Sequence, residues 1–363
     1  MKYINTITAI LITIILMGSN NTNLEFNEQY FNIQWYLDNS SGLDIGALDM
    51  WKEFDESSIK NEVIVAVIDT GVDYSHDDLK NKMWVNKYEI PGDGIDNDDN
   101  GYIDDIYGWN FCDKSGELIS DKNLSKNDHG TMCAGIIAAD HNHIGIIGVA
   151  GNANIKIMSL KVLEGKKREG KVANVVKAIK YAEKMGASIY NLSFNTYVDN
   201  KSLENAIQES NMLFVVSAGN NEKYNGINID QLHSYPASYN FSNLITVANI
   251  DSNQNLFISS NYGNNTVDIA APGTKIYSTI TKNKYGYDTG TSMAAPVVSG
   301  VAAVLFAYYN GIDAYNVKNI ILNKATKDDK LANRIAEGRI LYVGDIFPYD
   351  IDNFIKIKNK HLL

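Results

Sequence analysis

Glu62-Val63-Ile64-Val65-Ala66-Val67-Ile68-Asp69-Thr70-Gly71 is apolar at consecutive rather than alternate positions, and it ends on an aspartate followed within two residues by a glycine. A strand of that pattern has to be buried on both faces, which is the situation of a parallel sheet covered on each side. Gly71 lets the backbone turn sharply off the strand end. Similar runs follow at Ile155 to Leu160, Ala187 to Leu192, Leu213 to Ala218 and Leu244 to Ala248, with helical-period segments between some of them at Lys171 to Met185 and Ser202 to Asn211. Strands alternating with helices predict right-handed crossovers and an α/β fold, a doubly wound, mostly parallel sheet with helices on both faces. Ligands in such sheets bind beyond the C-terminal strand ends. Asp69, Ser193 and Asn220 all fall at or just after such ends.

Two further stretches carry chemistry: Asp128-His129-Gly130-Thr131-Met132-Cys133-Ala134-Gly135 and Gly290-Thr291-Ser292-Met293-Ala294-Ala295-Pro296. A serine hydroxyl is a weak nucleophile at neutral pH and needs a base to take its proton as it attacks. His129 suits that task, and a buried Asp69 would fix its tautomer and stabilise the imidazolium formed. Each residue alone has an ordinary reading: Asp69 as a turn cap, His129 as a polar residue at a helix start, Ser292 as an N-cap. The flanks argue otherwise. Gly130 and Gly135 permit a helix to pack tightly on the sheet, and Met293 to Val304 reads as a wholly buried helix, with Pro296 tolerable near its first turn. The start of that helix would aim free N–H groups at the reacting centre.

The three motifs, in the order Asp, His, Ser, resemble the subtilisin-like serine proteases over roughly Gln34 to Gly344. The resemblance implies a serine endopeptidase that cleaves protein or peptide substrates through an acyl-enzyme. It assigns catalysis to Asp69, His129 and Ser292, with Asn220 of Ser217-Ala218-Gly219-Asn220 donating to the oxyanion. It also implies that substrate binds as an added strand between Gly165 to Gly170 and Ser193-Phe194-Asn195, with Gly219, Asn220 and Ser234-Tyr235-Pro236-Ala237 completing the first specificity pocket. This sequence departs from the pattern in three places. Asn195 stands where a glycine is usual and would narrow the pocket mouth. Lys166, Lys167 and Arg168 are either a solvated charge run or a preference for acidic residues before the cut. Met132 replaces a second histidine. Cys133 resembles a thiol lying beneath the catalytic histidine. A narrow processing protease is one alternative; a catalytically silent member acting as a binding or signalling module is another.

Asp96-Asn97-Asp98-Asp99-Asn100-Gly101-Tyr102-Ile103-Asp104 has the oxygen-ligand spacing of a calcium loop, through Asp96, Asp98, Asn100, Tyr102 and Asp104, with glycine at the sixth position. Position twelve is Tyr107, so the bidentate glutamate is missing. Ca²⁺ is the expected structural cofactor. The resemblance adds Asp78, in His76-Asp77-Asp78-Leu79, as a ligand of a second calcium site.

At 363 residues the chain can bury a large core, and a net charge of -11 argues against nucleic-acid or anionic-membrane binding. Met1-Lys2-Tyr3 followed by the apolar run Ile4 to Gly18 reads as a signal peptide, residues 1–19, ending near Gly18-Ser19. An uncleaved anchor is the alternative. No other segment reaches membrane-spanning length by this reading, so a secreted protein without stable membrane association is expected. From about Glu25 to Pro348 the chain reads as one domain, followed by a polar tail at 349–363, and a monomer is the default. Relatives usually carry a long pro-domain, and the stretch from Asn32 to Leu37 begins too soon after the signal segment to leave room for one. The two cysteines, Cys112 and Cys133, are expected as buried thiols.

Overall fold

The computed structural model describes residues 28–53, 61–119, 128–165, 168–223 and 225–347. The signal segment, the polar tail, Lys166 and Lys167 lie outside the described residues.

The strands are β1 (Val63–Asp69), β2 (Gly108–Asn110), β3 (Ile155–Lys161), β4 (Leu163–Glu164), β5 (Glu169–Gly170), β6 (Ile189–Leu192), β7 (Leu213–Ser217), β8 (Leu244–Ile250), β9 (Ile269–Pro272), β10 (Ile276–Ile280), β11 (Lys284–Asp288), β12 (Thr326–Lys327) and β13 (Arg339–Ile340). The helices are α1 (Ala47–Glu53), α2 (Asp128–Ala138), α3 (Val172–Lys184), α4 (Lys201–Gln208), α5 (Thr291–Tyr308) and α6 (Ala314–Lys324). Nine strands form one sheet in the order β12-β13-β9-β8-β7-β6-β1-β3-β2, parallel except at β12–β13. β4–β5 and β10–β11 are separate antiparallel hairpins.

The fold class expected from the sequence is the one observed. β1 lies between β3 and β6, so the strand order reverses there, and the crevice beyond its C-terminal end is the place where such sheets hold ligands. Strand side chains alternate between faces. Ala66 and Ile68 point into the core shared with α3 and α4, whereas Val63, Val65 and Val67 point into the core shared with α1, α2, α5 and α6. Asp69 has the parity of the second set, so its carboxylate emerges on the face that carries α2 and α5. His129 and Ser292 are each the second residue of those two helices.

α4 starts on Asn200, whose side chain accepts from the Ser202 and Leu203 N–H groups. α5 runs four residues past the predicted end, and all of it except Ser292, Phe306 and Tyr308 is buried. It is also long and apolar enough to cross a membrane, contrary to the sequence reading. With 83% of it buried inside the fold, it is a core helix. Pro296 sits in the second turn rather than the first. The Ser292 carbonyl, which would have accepted its missing N–H, instead accepts from Ser193 Oγ (3.1 Å) and Cys133 Sγ (3.5 Å).

Candidate active site

Asp69 is fully buried, and His129 is 3% exposed. His129 Nδ1 lies 2.8 Å from Asp69 Oδ1 and 2.9 Å from Oδ2, so its N–H donates into the carboxylate. The Thr70 N–H donates to Oδ1 as well (2.6 Å). Burial pushes the Asp69 carboxyl up, but the charge and hydrogen bond of His129 and the Thr70 amide outweigh it and hold the group below the ordinary carboxylate value. The helix can come this close because residue 130 is glycine: a Cβ there would stand 2.4 Å from the Gly71 carbonyl oxygen. The backbone leaving β1 is held from below by the buried Lys161, whose Nζ donates to the carbonyls of Thr70 (2.8 Å) and Leu163 (3.0 Å).

Ser292 is the one residue of the first turns of α5 that reaches solvent. Asn220 is exposed just past β7. Its Oδ1 accepts from the Thr291 N–H (3.0 Å), which turns its Nδ2 the other way. A Cβ on Gly290 would sit 3.3 Å from both Asn220 Nδ2 and Ser292 Oγ. Glycine therefore leaves open the space between hydroxyl and amide, where the oxygen of a tetrahedral intermediate would develop charge.

Of the expected substrate segments, Ser193 to Asn195 lies beside the nucleophile. Ser193 is buried under Ser292 and receives Asn191 Nδ2 (2.9 Å), while Asn191 Oδ1 accepts from Ser299 Oγ of α5 (2.9 Å). Phe194 is half-buried against the α3–α4 side, and the Asn195 carboxamide lies against Gly219, 3.1 Å from where a Cβ would stand. Ser234 is buried, and the turn it begins is tied to this segment by reciprocal hydrogen bonds between Thr196 and Tyr235. Gly165 and Gly170 belong to the exposed β4–β5 hairpin, and Arg168 on it reaches to 4.0 Å from Asp288 at the end of β11.

The subtilase family model matches residues 60–338. The chain belongs to the subtilase family. It is 35% identical to subtilisin-like protease 1 of Plasmodium vivax over 343 residues, 89% of this chain and 52% of that one. It is 33% identical to thermitase of Thermoactinomyces vulgaris over 318 residues, 86% of this chain and 96% of that one. Among solved structures, a cold-adapted subtilisin-like serine proteinase superposes with a TM-score of 0.58 at 25% identity, covering 77% of this chain and 88% of that one. The chain spans about half the length of the Plasmodium relatives it matches, 46% to 56%.

Elsewhere in this subtilase the acidic loop differs from its sequence reading. Carboxylate oxygens of Glu89, Asp96 and Asp98 converge within 4.8 Å of one another. The Asn100 N–H donates to Asp96 Oδ1 and Asp98 Oδ1, and Gly101 N–H donates to Asp96 Oδ2. Asn100 Oδ1 accepts from the Tyr102 N–H (2.7 Å). Asp104 does not join the cluster, because its carboxylate accepts from the Gly92 and Gly94 N–H groups. Glu89, upstream of the motif, joins the cluster instead, and its position outside the twelve-residue spacing hides it from motif reading. Three converging carboxylates suit a hard cation. Asp78 is buried, and its oxygens accept from Ile146 N–H (3.0 Å), Tyr285 O–H (2.9 Å) and Asn142 Nδ2 (3.3 Å).

Both cysteines are free. Cys133 is fully buried, within 4.8 Å of the Asp69 and His129 ligand atoms. Burial and the Asp69 charge push its thiol well up, so it stays protonated. Cys112 is only half-buried, contrary to expectation, because Phe111 takes the core position at the end of β2. A cleft of about 950 Å³ lined by Met83, Trp84, Tyr88 and Lys184 lies at the opposite strand ends, away from this chemistry.

Proposed function

We propose that this subtilase is a secreted serine endopeptidase acting on protein or peptide substrates. The observation that carries the reading is the contact of both Asp69 oxygens with His129 Nδ1, at 2.8 and 2.9 Å; a proton held on Nδ1 by the carboxylate leaves Nε2 as the basic atom. Ser292 Oγ attacks the scissile carbonyl as His129 takes its proton. Asn220 Nδ2, oriented by Thr291, donates to the oxyanion, and His129 then protonates the leaving amine. Water, activated by the same imidazole, releases the acyl group from Ser292. The substrate strand lies between Ser193–Asn195 and the Gly165–Gly170 hairpin, with Gly219 and Ser234 bordering the first pocket. Arg168 already faces Asp288, so an acidic preference draws little support from it. The silent-module alternative draws none, since triad and donor are all retained.

Calcium in the acidic loop is part of the same proposal. Glu89, Asp96, Asp98 and Asn100 would hold it, and it would neutralise carboxylates that otherwise repel.

A fluorophosphonate probe reports an activated serine whatever the substrate. The secreted protein, in calcium, should label, and Ser292→Ala should not. A folded wild-type chain that fails to label would overturn the proposal.

A further inference from the structure

The substrate hairpin and the segment leading into the nucleophile carry opposite charges that meet across the active site. Arg168, in the turn between β4 and β5, brings Nη2 to 4.0 Å from Oδ2 of Asp288, the last residue of β11. The Asp288 end is fixed. Ile276 of β10 pairs with Asp288, the Lys275 N–H donates to Thr289 Oγ1 (2.8 Å), and the Thr289 N–H donates to Asp288 Oδ1 (2.8 Å), which leaves Oδ2 toward the hairpin. Arg168 is the long, adjustable arm, set in a turn that its own N–H closes on Gly165 O (3.2 Å).

The pair stands beside the catalytic histidine. At Asp69, burial raises the carboxyl, His129 and the Thr70 amide lower it, and the Arg168 charge adds to the lowering. At Cys133, burial and Asp69 raise the thiol, with Arg168 opposing and Asp288 adding to the rise. Both charges are thus felt next to His129, since Asp69 and Cys133 each place a ligand atom within 4.8 Å of its ring nitrogen. A chain bound along the hairpin and cut at Ser292 has to pass between the hairpin turn and the residues leading to Ser292, the gap that this pair spans. His129 itself is only 3% exposed in the free chain, although its Nε2 has to reach both the serine and the leaving amine.

We propose that Arg168 and Asp288 form a clasp that closes the cleft beside His129 in the free enzyme and that a substrate has to open. The inference rests on the endopeptidase reading of the same site. At 4.0 Å the contact is Coulombic rather than a hydrogen bond, and both side chains reach solvent, so salt screens it and it opens easily. Substrate binds only the open form, and its apparent affinity is reduced by the fraction of chains that are closed. An exposed ion pair shifts an equilibrium by at most about fivefold, which sets the scale of the effect.

The test compares the whole chain with Arg168→Gln, Asp288→Asn and the double variant, all in calcium, on an uncharged, internally quenched octapeptide. KM should fall about two- to fivefold in each single variant with kcat little changed. The double variant should match the singles, because either change opens the same clasp. Raising ionic strength from about 0.01 M to about 1 M should lower KM in wild type alone. In a Ser292→Ala background the Kd of the same peptide, measured by calorimetry, should follow the same pattern. That readout needs no turnover, so a chain that binds the peptide but takes no fluorophosphonate label refutes the endopeptidase reading and leaves the clasp standing. Peptide bound no better by the variants than by wild type, or bound by none of them, would overturn the proposal. So would a salt response equal in all four chains, or weaker binding without Arg168, which would make the arginine a direct substrate contact.

Discussion

Asp69 and the Asp96–Asp105 loop are both concentrations of negative charge, and they are built in opposite ways. Asp69 ends a regular strand, is buried, and has its charge answered inside the protein by His129 and Thr70. The loop is a chain of turns with left-handed residues at Asp99 and Asp104, and it points the oxygens of Glu89, Asp96 and Asp98 at one another. Its amide donors satisfy some lone pairs but bring no positive charge. One region is finished by its own sequence, and the other would be completed by the cation proposed for it. Substitutions in the first should therefore act on rate, and substitutions in the second on stability.

The largest effect expected is on the finished side. Asp69→Asn preserves size but gives Nδ1 a competing donor and favours the wrong tautomer, so kcat should fall about 10⁴-fold. The same variant tests the electrostatics. A carboxyl held below its unfolded value adds stability above that value and loses it as pH falls through the folded one. The acid limb of the stability profile should thus flatten in Asp69→Asn, measured by denaturant midpoints between neutral pH and pH 3. A wild-type limb of equal slope would break the claim that this charge is compensated internally.

Asn220→Ala comes next. Its amide is aimed at a position where charge exists only during reaction, so kcat should drop about 10²- to 10³-fold with KM little changed, the scale of subtilisin's own donor asparagine. A rise in KM instead would make it a substrate-binding group.

The strand ends were legible because burial on both faces leaves a continuous apolar run, and because glycine and aspartate mark where such a run stops. Asp69, His129 and Ser292 were legible through their neighbours: small residues at 130, 290 and 294 are there because helices and sheet meet too closely for more. What stayed hidden depends on long-range geometry. β2, β12 and β13 are two or three residues long and form only at the two ends of an existing sheet. The β10–β11 hairpin is tyrosine-rich and partly exposed, without the apolar signature of the central strands. Glu89 joins the acidic cluster from outside its motif, and Lys161 supports Thr70 from the end of a neighbouring strand, contacts no local spacing reports.

On the unfinished side, chelation should lower Tm by roughly 4 °C, from a cation present near one hundred times its Kd. Glu89→Gln should already be less stable in calcium and should lose less on chelation. Wild type indifferent to chelator would show that turns and amides alone hold the loop, and the contrast between the two regions would vanish.

The smallest effect tests how completely the catalytic side is satisfied. Ser193→Ala removes a buried hydroxyl that donates to Ser292 O and accepts from Asn191, at a cost of about 1–3 kcal/mol. Cys133 still donates to the same carbonyl, which softens the single loss. Ser193→Ala with Cys133→Ala should therefore cost more than the two singles together, read from denaturant midpoints. Pro296→Ala restores a helical N–H within reach of that oxygen. In its background Ser193→Ala should cost less, because the carbonyl would no longer depend on side chains. Equal cost in both backgrounds would mean that Asn191, rather than the nucleophile's own carbonyl, is what Ser193 serves.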